Sequence, residues 1–292
     1  MRHGQHSLTA RGAAGHRAAH QLLEGGAVFP DPLARKILGE EASREADARA
    51  VEPGRRPLRL LIAARSRFAE AALASAVERG VRQAVALGAG LDTFALRNPH
   101  ARLGLRVFEV DHPATQAWKR ARLAEESLET PQLLTFVPVD FQCEDLGQRL
   151  ADCGFDAQKP AFFFWLGVLP YLPREAIFAT LRFIASLDDA EVVFDYYEPV
   201  ETYPRERRQA AQALAARVAA LGEPLLSYFD SEALAAELRA QGFSELEDFD
   251  LRAIATQWLD APRGAESRAR GPHFLRARRV RARSENSESN AL

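Results

Sequence analysis

The sequence predicts an α/β protein, a mostly parallel sheet with helices on both faces. Three observations predict it. From residue 83 onward, short apolar runs alternate with helical patterns as far as residue 196. The fourth run, residues 161–166, reads Ala-Phe-Phe-Phe-Trp-Leu and is apolar throughout, as a parallel strand buried on both faces must be. The first run ends in the turn Gly88-Ala89-Gly90-Leu91-Asp92-Thr93, and Phe108-Glu109-Val110-Asp111 follows about 20 residues later. A strand, a glycine turn, a helix start and a second strand ending in carboxylates is an arrangement that suits a nucleoside ligand.

The elements fall in order along the chain. Residues 8–24 form a small-residue helix broken at Gly25-Gly26. Phe29-Pro30-Asp31-Pro32 is a turn, and Asp31 is placed to cap a short helix over 32–39. Residues 40–56 are charged and read as a loop with some helix, and 58–79 as a long helix ended by Gly80. Strands are expected at 83–88, 106–111, 134–139, 161–166 and 191–196. Helices are expected between them at 113–128, with Pro113 in the first turn, at 144–153 and at 174–185. Then the rhythm changes. An Ala/Arg-rich helix over 205–221 is expected to cover the strand ends, and Asp230 caps a helix at 231–240 that Gly242 stops. Residues 243–250 and 273–281 are two further strand candidates, separated by a long connection. The reading is one domain: a helical cap over 1–80, the sheet over 81–283, and a polar tail, 284–292, expected to be disordered.

Composition narrows the class. The 292 residues are 47% hydrophobic, enough for a sizeable core. A net charge of −2 gives no global pull toward nucleic acid or membrane. Cys143 and Cys153 are too few for a disulfide framework and lack metal-ligand spacing. Free thiols and this composition fit a cytoplasmic protein. The polar start is not followed by an apolar h-region, and there is no run of 18 apolar residues. Arg276-Ala277-Arg278-Arg279-Val280-Arg281-Ala282-Arg283 alternates like an edge strand with one solvated face. It lacks interleaved aromatics, so no nucleic-acid partner is expected.

The glycine pair alone leaves the ligand open. A dinucleotide fingerprint needs a third glycine, and Thr93 stands there. An NAD-dependent oxidoreductase and a tight turn with no ligand both remain readings of the turn. Acids recur at successive strand ends, Asp111 and then Asp140. One carboxylate for a ribose diol and one for an adenine amino group suit a ligand with one nucleoside and no pyrophosphate, such as S-adenosyl-L-methionine.

Four segments then occur in order: Leu87 to Arg97 (LGAGLDTFALR), Phe108 to Pro113 (FEVDHP), Val139 to Phe141 (VDF), and Trp165 to Leu172 (WLGVLPYL). Together they resemble the leucine carboxyl methyltransferase family, in its bacterial branch of S-adenosylmethionine-dependent O-methyltransferases. The resemblance implies a Rossmann-like class I methyltransferase fold with seven strands in the order 3-2-1-4-5-7-6, the seventh antiparallel. It implies that Gly88, Ala89 and Gly90 line the methionine part of the cofactor. Asp111 would hold the ribose, and Asp140 and Phe141 the adenine; His112, next to Asp111, is a further cofactor-side residue and a candidate base if the acceptor is a hydroxyl. Arg65, in Ala64-Arg65-Ser66-Arg67, matches the arginine that pairs with the cofactor carboxylate. Read without the family, Arg65 is a solvated helix charge. Leu166 stands where the family often has a glutamate after the strand-four Trp, and near the N-terminus Leu8, with Arg11 nearby, stands where a basic residue is common.

The implied partner is a small-molecule methyl acceptor, a carboxylate or a hydroxyl. The protein terminus that the eukaryotic namesake modifies is not carried over. Tyr171, Tyr196, Tyr197 and Trp165 lie near strand ends, where they line an acceptor pocket or pack in the core. His3, His6, His16 and His20 are expected at the surface or behind the site. A fold that binds without catalysing is the third reading, motivated by Leu166. Acceptor specificity is expected from residues 8–30 and 197–225.

Overall fold

The structure, a computed structural model, describes residues 7–52, 54–141, 143–259 and 270–280. The expected polar tail lies outside them. Seven strands, β1 Gln83–Leu87, β2 Arg106–Asp111, β3 Leu134–Pro138, β4 Ala161–Trp165, β5 Ala190–Tyr197, β6 Glu245–Phe249 and β7 Pro272–Arg279, form one sheet. Their order is β3-β2-β1-β4-β5-β7-β6, with β7 antiparallel to both neighbours. This is the expected order.

Period-two alternation divides each strand between two cores. On β4, Phe163 and Trp165 face one core, which is closed by α7 Leu146–Asp152, α8 Arg174–Ser186 and α10 Ser231–Ala240. Phe162 and Phe164 face the other, closed by α4 Arg55–Glu78 and α11 Leu251–Trp258. Within this second core, Phe68 of α4 stacks on Phe274 of β7 and meets Trp258 edge-on.

The N-terminal helices α1 Leu8–Leu23, α2 Ala34–Leu38 and α3 Glu40–Ala50 form a separate layer. A third apolar cluster, which includes Ala14, Ala18, Ile37 and Leu91, joins this layer to Leu123 of α6 Pro113–Glu125. Short helix α5 Phe94–Arg97 follows the glycine turn, and α9 Arg205–Ala220 lies beyond β5.

Four expectations change. Residues 40–50 are a continuous helix, opened by Glu40 and Glu41, whose charges complement its positive end. Asp31 does not cap α2. It is 1% exposed and takes Arg17 Nε at 3.1 Å and Thr93 Oγ1 at 2.6 Å, because a buried carboxylate must be paired. A helix, α11, occupies part of the connection between the last two strands. The basic strand β7 is interior rather than an edge, and β6 is the edge. Its arginines are answered locally: Arg276 pairs with Glu191 and Glu247, and Arg278 with Glu245 and Asp189. Among the described residues no helix is long and apolar enough to cross a membrane.

Candidate active site

The carboxyl ends of β1, β2, β4 and β5 open into one cavity of about 960 Å³, roofed by α1, α3, α4 and α9. That is the upper end of ordinary ligand-site volumes. Its first wall is the glycine turn. Gly88 and Ala89 donate their N–H groups to Val110 O, at 2.8 and 3.1 Å, and Gly90 N–H donates to Asp111 Oδ2 at 2.5 Å. These donors already have protein acceptors. The turn therefore gives a ligand close backbone approach rather than three free N–H groups. Gly90 has φ +49, and a Cβ there would stand 3.0 Å from Ala10 of α1. Only glycine lets the roof descend this far.

Asp111 ends β2. Its other oxygen accepts from His112 N–H at 2.7 Å, which leaves acceptor capacity on both oxygens. Burial raises its pKa to about 6, against the pull of the two N–H groups. His112 lines the cavity and caps α6, its Nδ1 accepting from Ala114 N–H at 3.2 Å. Asp140 and Phe141, after β3, line the same end.

Thr93, which breaks the dinucleotide pattern, receives Arg97 Nε and donates to Asp31, and Arg17 reaches from Asp31 to Leu91 O at 2.7 Å. The side chain at this position pins the N-terminal layer to the turn. Lys119 of α6 holds the turn from beneath, donating to Asp92 O and pairing with buried Glu109, both at 2.6 Å.

Arg65 sits on α4 with 13% of its side chain exposed. It is not a solvated helix charge. Nη1 pairs with Asp195 Oδ2 at 2.9 Å, and the buried Nε has no hydrogen-bond partner among the described residues. Asp195 Oδ1 accepts Gly167 N–H at 2.5 Å, fixing the loop after β4 to the same carboxylate. Leu166 lines the cavity and packs against the second core, an apolar wall with no hydrogen bond to offer.

The aromatic candidates divide. Tyr171 and Tyr197 line the cavity near Arg65. Burial pushes the Tyr171 phenol up to about 12 and also raises Tyr197, so both are proton donors at neutral pH. Tyr196 points to the opposite face of β5, fully buried, with its hydroxyl on Asp248 Oδ2 at 2.7 Å. Adjacent strand residues cannot share a face. Trp165 is likewise core, with no hydrogen-bond partner for Nε1 among the described residues.

Three cavity residues carry no motif. Glu223, in the loop after α9, accepts Leu8 N–H at 2.8 Å, Thr9 N–H at 3.1 Å and the Ser7 and Thr9 hydroxyls. It straps this loop to the start of α1, over the site. Leu8 therefore contributes its backbone here, and Arg11 is occupied with Glu45. His16, expected away from the site, lines the cavity, as does Arg217 of α9 at its exposed rim.

Comparison with known proteins agrees with this geometry. The sequence model "Leucine carboxyl methyltransferase" matches residues 10–185. A Bacillus subtilis (strain 168) protein named "Putative S-adenosyl-L-methionine-dependent methyltransferase YktD" is 32% identical over 254 residues, 78% of this chain and 83% of its own. A similarly named Mycobacterium avium (strain 104) protein is 32% identical over 200 residues, 63% of each chain. Among solved structures, a methyltransferase-fold protein from Thermobifida fusca superposes with a TM-score of 0.58 at 19% identity, covering 96% of this chain and 97% of that one. A DUF574 family protein from Streptomyces avermitilis gives 0.57 at 18% identity, covering 92% and 97%. With the match spanning the glycine turn, Asp111, Asp140 and Arg65, the chain belongs to the leucine carboxyl methyltransferase family and is an S-adenosylmethionine-dependent methyltransferase.

Proposed function

We propose that the methyl group goes to an oxygen, carboxylate or hydroxyl, of a small molecule held in this cavity. The observation that carries the reading is the meeting of Asp111, Asp140 and Arg65, from three separate segments, around one space large enough for a nucleoside and an acceptor together. The donor set fits the cofactor. Asp111 has free lone pairs for a ribose diol, and Arg65 has an unpartnered buried Nε for a carboxylate. Asp140 and Phe141 would hold the adenine, and Gly88, Ala89 and Gly90 would bound the methionine part, with His112 and Leu166 as adjoining walls. When bound, S-adenosylmethionine supplies an electrophilic methyl whose thioether leaving group is neutral and needs no acid.

This chain's residues then have two tasks, alignment and exclusion of water. The Glu223 strap holds α1 down over the site, and Tyr171 shares a hydrogen bond with Thr9 of that helix. A hydroxyl acceptor requires a base. His16 is a poor one, because burial and the surrounding arginines hold its pKa down at about 4. A carboxylate acceptor arrives ionised and requires none. Labelled methyl transfer to mixed carboxylate and hydroxyl acceptors tests this. Methyl esters release methanol in base and methyl ethers do not. Label found on nitrogen or sulfur, or no binding of S-adenosylhomocysteine, would sink the reading.

Gly167 gives a local check. Its φ is +71, and a Cβ there would lie 2.5 Å from Arg65 Nη1, which Asp195 holds in place. Gly167→Ala is expected to displace the guanidinium and weaken S-adenosylhomocysteine about tenfold, the worth of one charged hydrogen bond. Unchanged affinity by calorimetry would remove Arg65 from the cofactor contact.

A further inference from the structure

The cavity reaches well past the residues assigned to the cofactor. One stripe of α4 lines it: Arg55, Leu58, Ile62 and Arg65. Steps of three, four and three residues keep these side chains on one helical face. Ten residues at 1.5 Å rise place Arg55 about 15 Å from Arg65 along the axis. The wall thus reads cation, apolar, apolar, cation. Leu214 and Val218 of α9, with Leu221 just after it, continue the apolar middle.

The two cationic ends differ. At the inner end, Arg65 is answered by Asp195. At the outer end, Arg55 and Arg217 interact with one another and with His16. Among the described residues Arg55 has Glu52, half-exposed, as its one ion-pair partner, and Arg217 has none. Of the neighbouring arginines, Arg17 is committed to Asp31, Arg59 to Glu24 and Arg11 to Glu45, while Arg49 lines the cavity with no ion-pair partner among the described residues. Burial first and the Arg55 charge second hold the Arg217 pKa below its ordinary value, against the opposing pull of Tyr171 and Glu52, so the two guanidiniums repel one another. An anion between them would relieve that repulsion, and guanidinium forks suit carboxylate and phosphate alike.

We infer that the outer end is an anion subsite for the acceptor. Arg217 and Arg55 hold a carboxylate or phosphate of the acceptor, its apolar body lies along Leu58, Ile62, Leu214 and Val218, and its reacting oxygen lies at the Arg65 end. This rests on placing the cofactor against β1 and β2. The anion is therefore a group remote from the one that is methylated.

Calorimetric titration of the protein, saturated with S-adenosylhomocysteine, with octanoate, octyl phosphate and octanol tests the subsite. At least one anion is expected to bind about tenfold or more tightly than octanol, and the stronger of the two identifies the headgroup. Arg217→Gln and Arg55→Gln are each expected to erase most of that preference without changing octanol or S-adenosylhomocysteine affinity, which also reports that each variant is folded. Arg217→Glu is expected to transfer the preference to octylammonium. Equal binding of octanol and both anions, no anion binding, or full preference in Arg217→Gln would overturn the proposal. If wild-type protein fails to bind S-adenosylhomocysteine, the cofactor reading falls instead. The same three titrations of the free protein then decide the subsite by the same criteria.

Discussion

Asp111→Ala is expected to weaken S-adenosylhomocysteine binding by more than about a hundredfold, since two charge-assisted hydrogen bonds at about 1.5–3 kcal/mol each are lost. The carboxylate has a double task. It receives Gly90 N–H and His112 N–H, which sets the turn against β2, and it keeps lone pairs directed at the cavity. Asp111→Asn separates these tasks. The amide preserves shape and one acceptor but removes the charge, so its fold should survive while affinity still falls. Affinity should also depend on pH. Burial raises the Asp111 pKa from 3.8 to about 6, and the ionised form is the better ribose acceptor. Affinity is expected to level off above about pH 7 and to fall toward tenfold per unit below about pH 6. The free protein responds in the opposite sense. A carboxyl with a raised folded pKa contributes stability below about pH 4 that is lost as pH rises through 6. Wild-type and variant titrations at pH 5, 6, 7 and 8 check this. Affinity of Asp111→Ala within threefold of wild type would remove the ribose contact, and a flat wild-type profile would remove the pH argument.

The parallel sheet was legible because strand and helix periods alternate cleanly between residues 83 and 197, and its strand order came with the family resemblance that the four motif segments carry. Local rules failed where a long-range partner outcompetes the local one. Asp31 has the position and chemistry of a helix cap, but it is buried beside Thr93 and Arg17, and those groups claim it. The arginine-rich strand looks like an edge because its charges alternate, yet carboxylates on both neighbouring strands let it lie inside the sheet. Parity was available and decisive. Tyr196 and Tyr197 are consecutive in a strand, so only one of them can face the cavity. If Tyr197 does, then Asp195, two residues earlier, faces the same way. That inference would have put Asp195, the partner of Arg65, on the cavity face from sequence. Glu223 and Arg217 have no such signal, since each acts on helices about 160 to 215 residues away in the chain.

Asp195 is the residue at which stability and cofactor binding are expected to separate. Its carboxylate and the Arg65 guanidinium are 6% and 13% exposed, and removing one partner of so buried a pair costs about 3–5 kcal/mol. Asp195→Ala should therefore lower the urea midpoint sharply, leaving a buried guanidinium with no anion and Gly167 N–H with no acceptor. Replacing the pair with apolar side chains, Arg65→Met with Asp195→Leu, removes the uncompensated charge and is expected to restore most of that stability. It should not restore binding, because the guanidinium that answers the cofactor carboxylate is gone. Asp195→Ala itself should bind weakly, with Arg65 present but no longer held. Urea unfolding and S-adenosylhomocysteine calorimetry on the wild type, Asp195→Ala, Arg65→Met and the double variant complete the cycle. A double variant as unstable as Asp195→Ala would mean that the pair is not what the fold loses. A double variant that binds like wild type would mean that Arg65 serves the fold alone, and the inner end of the cavity would need another partner for the cofactor carboxylate.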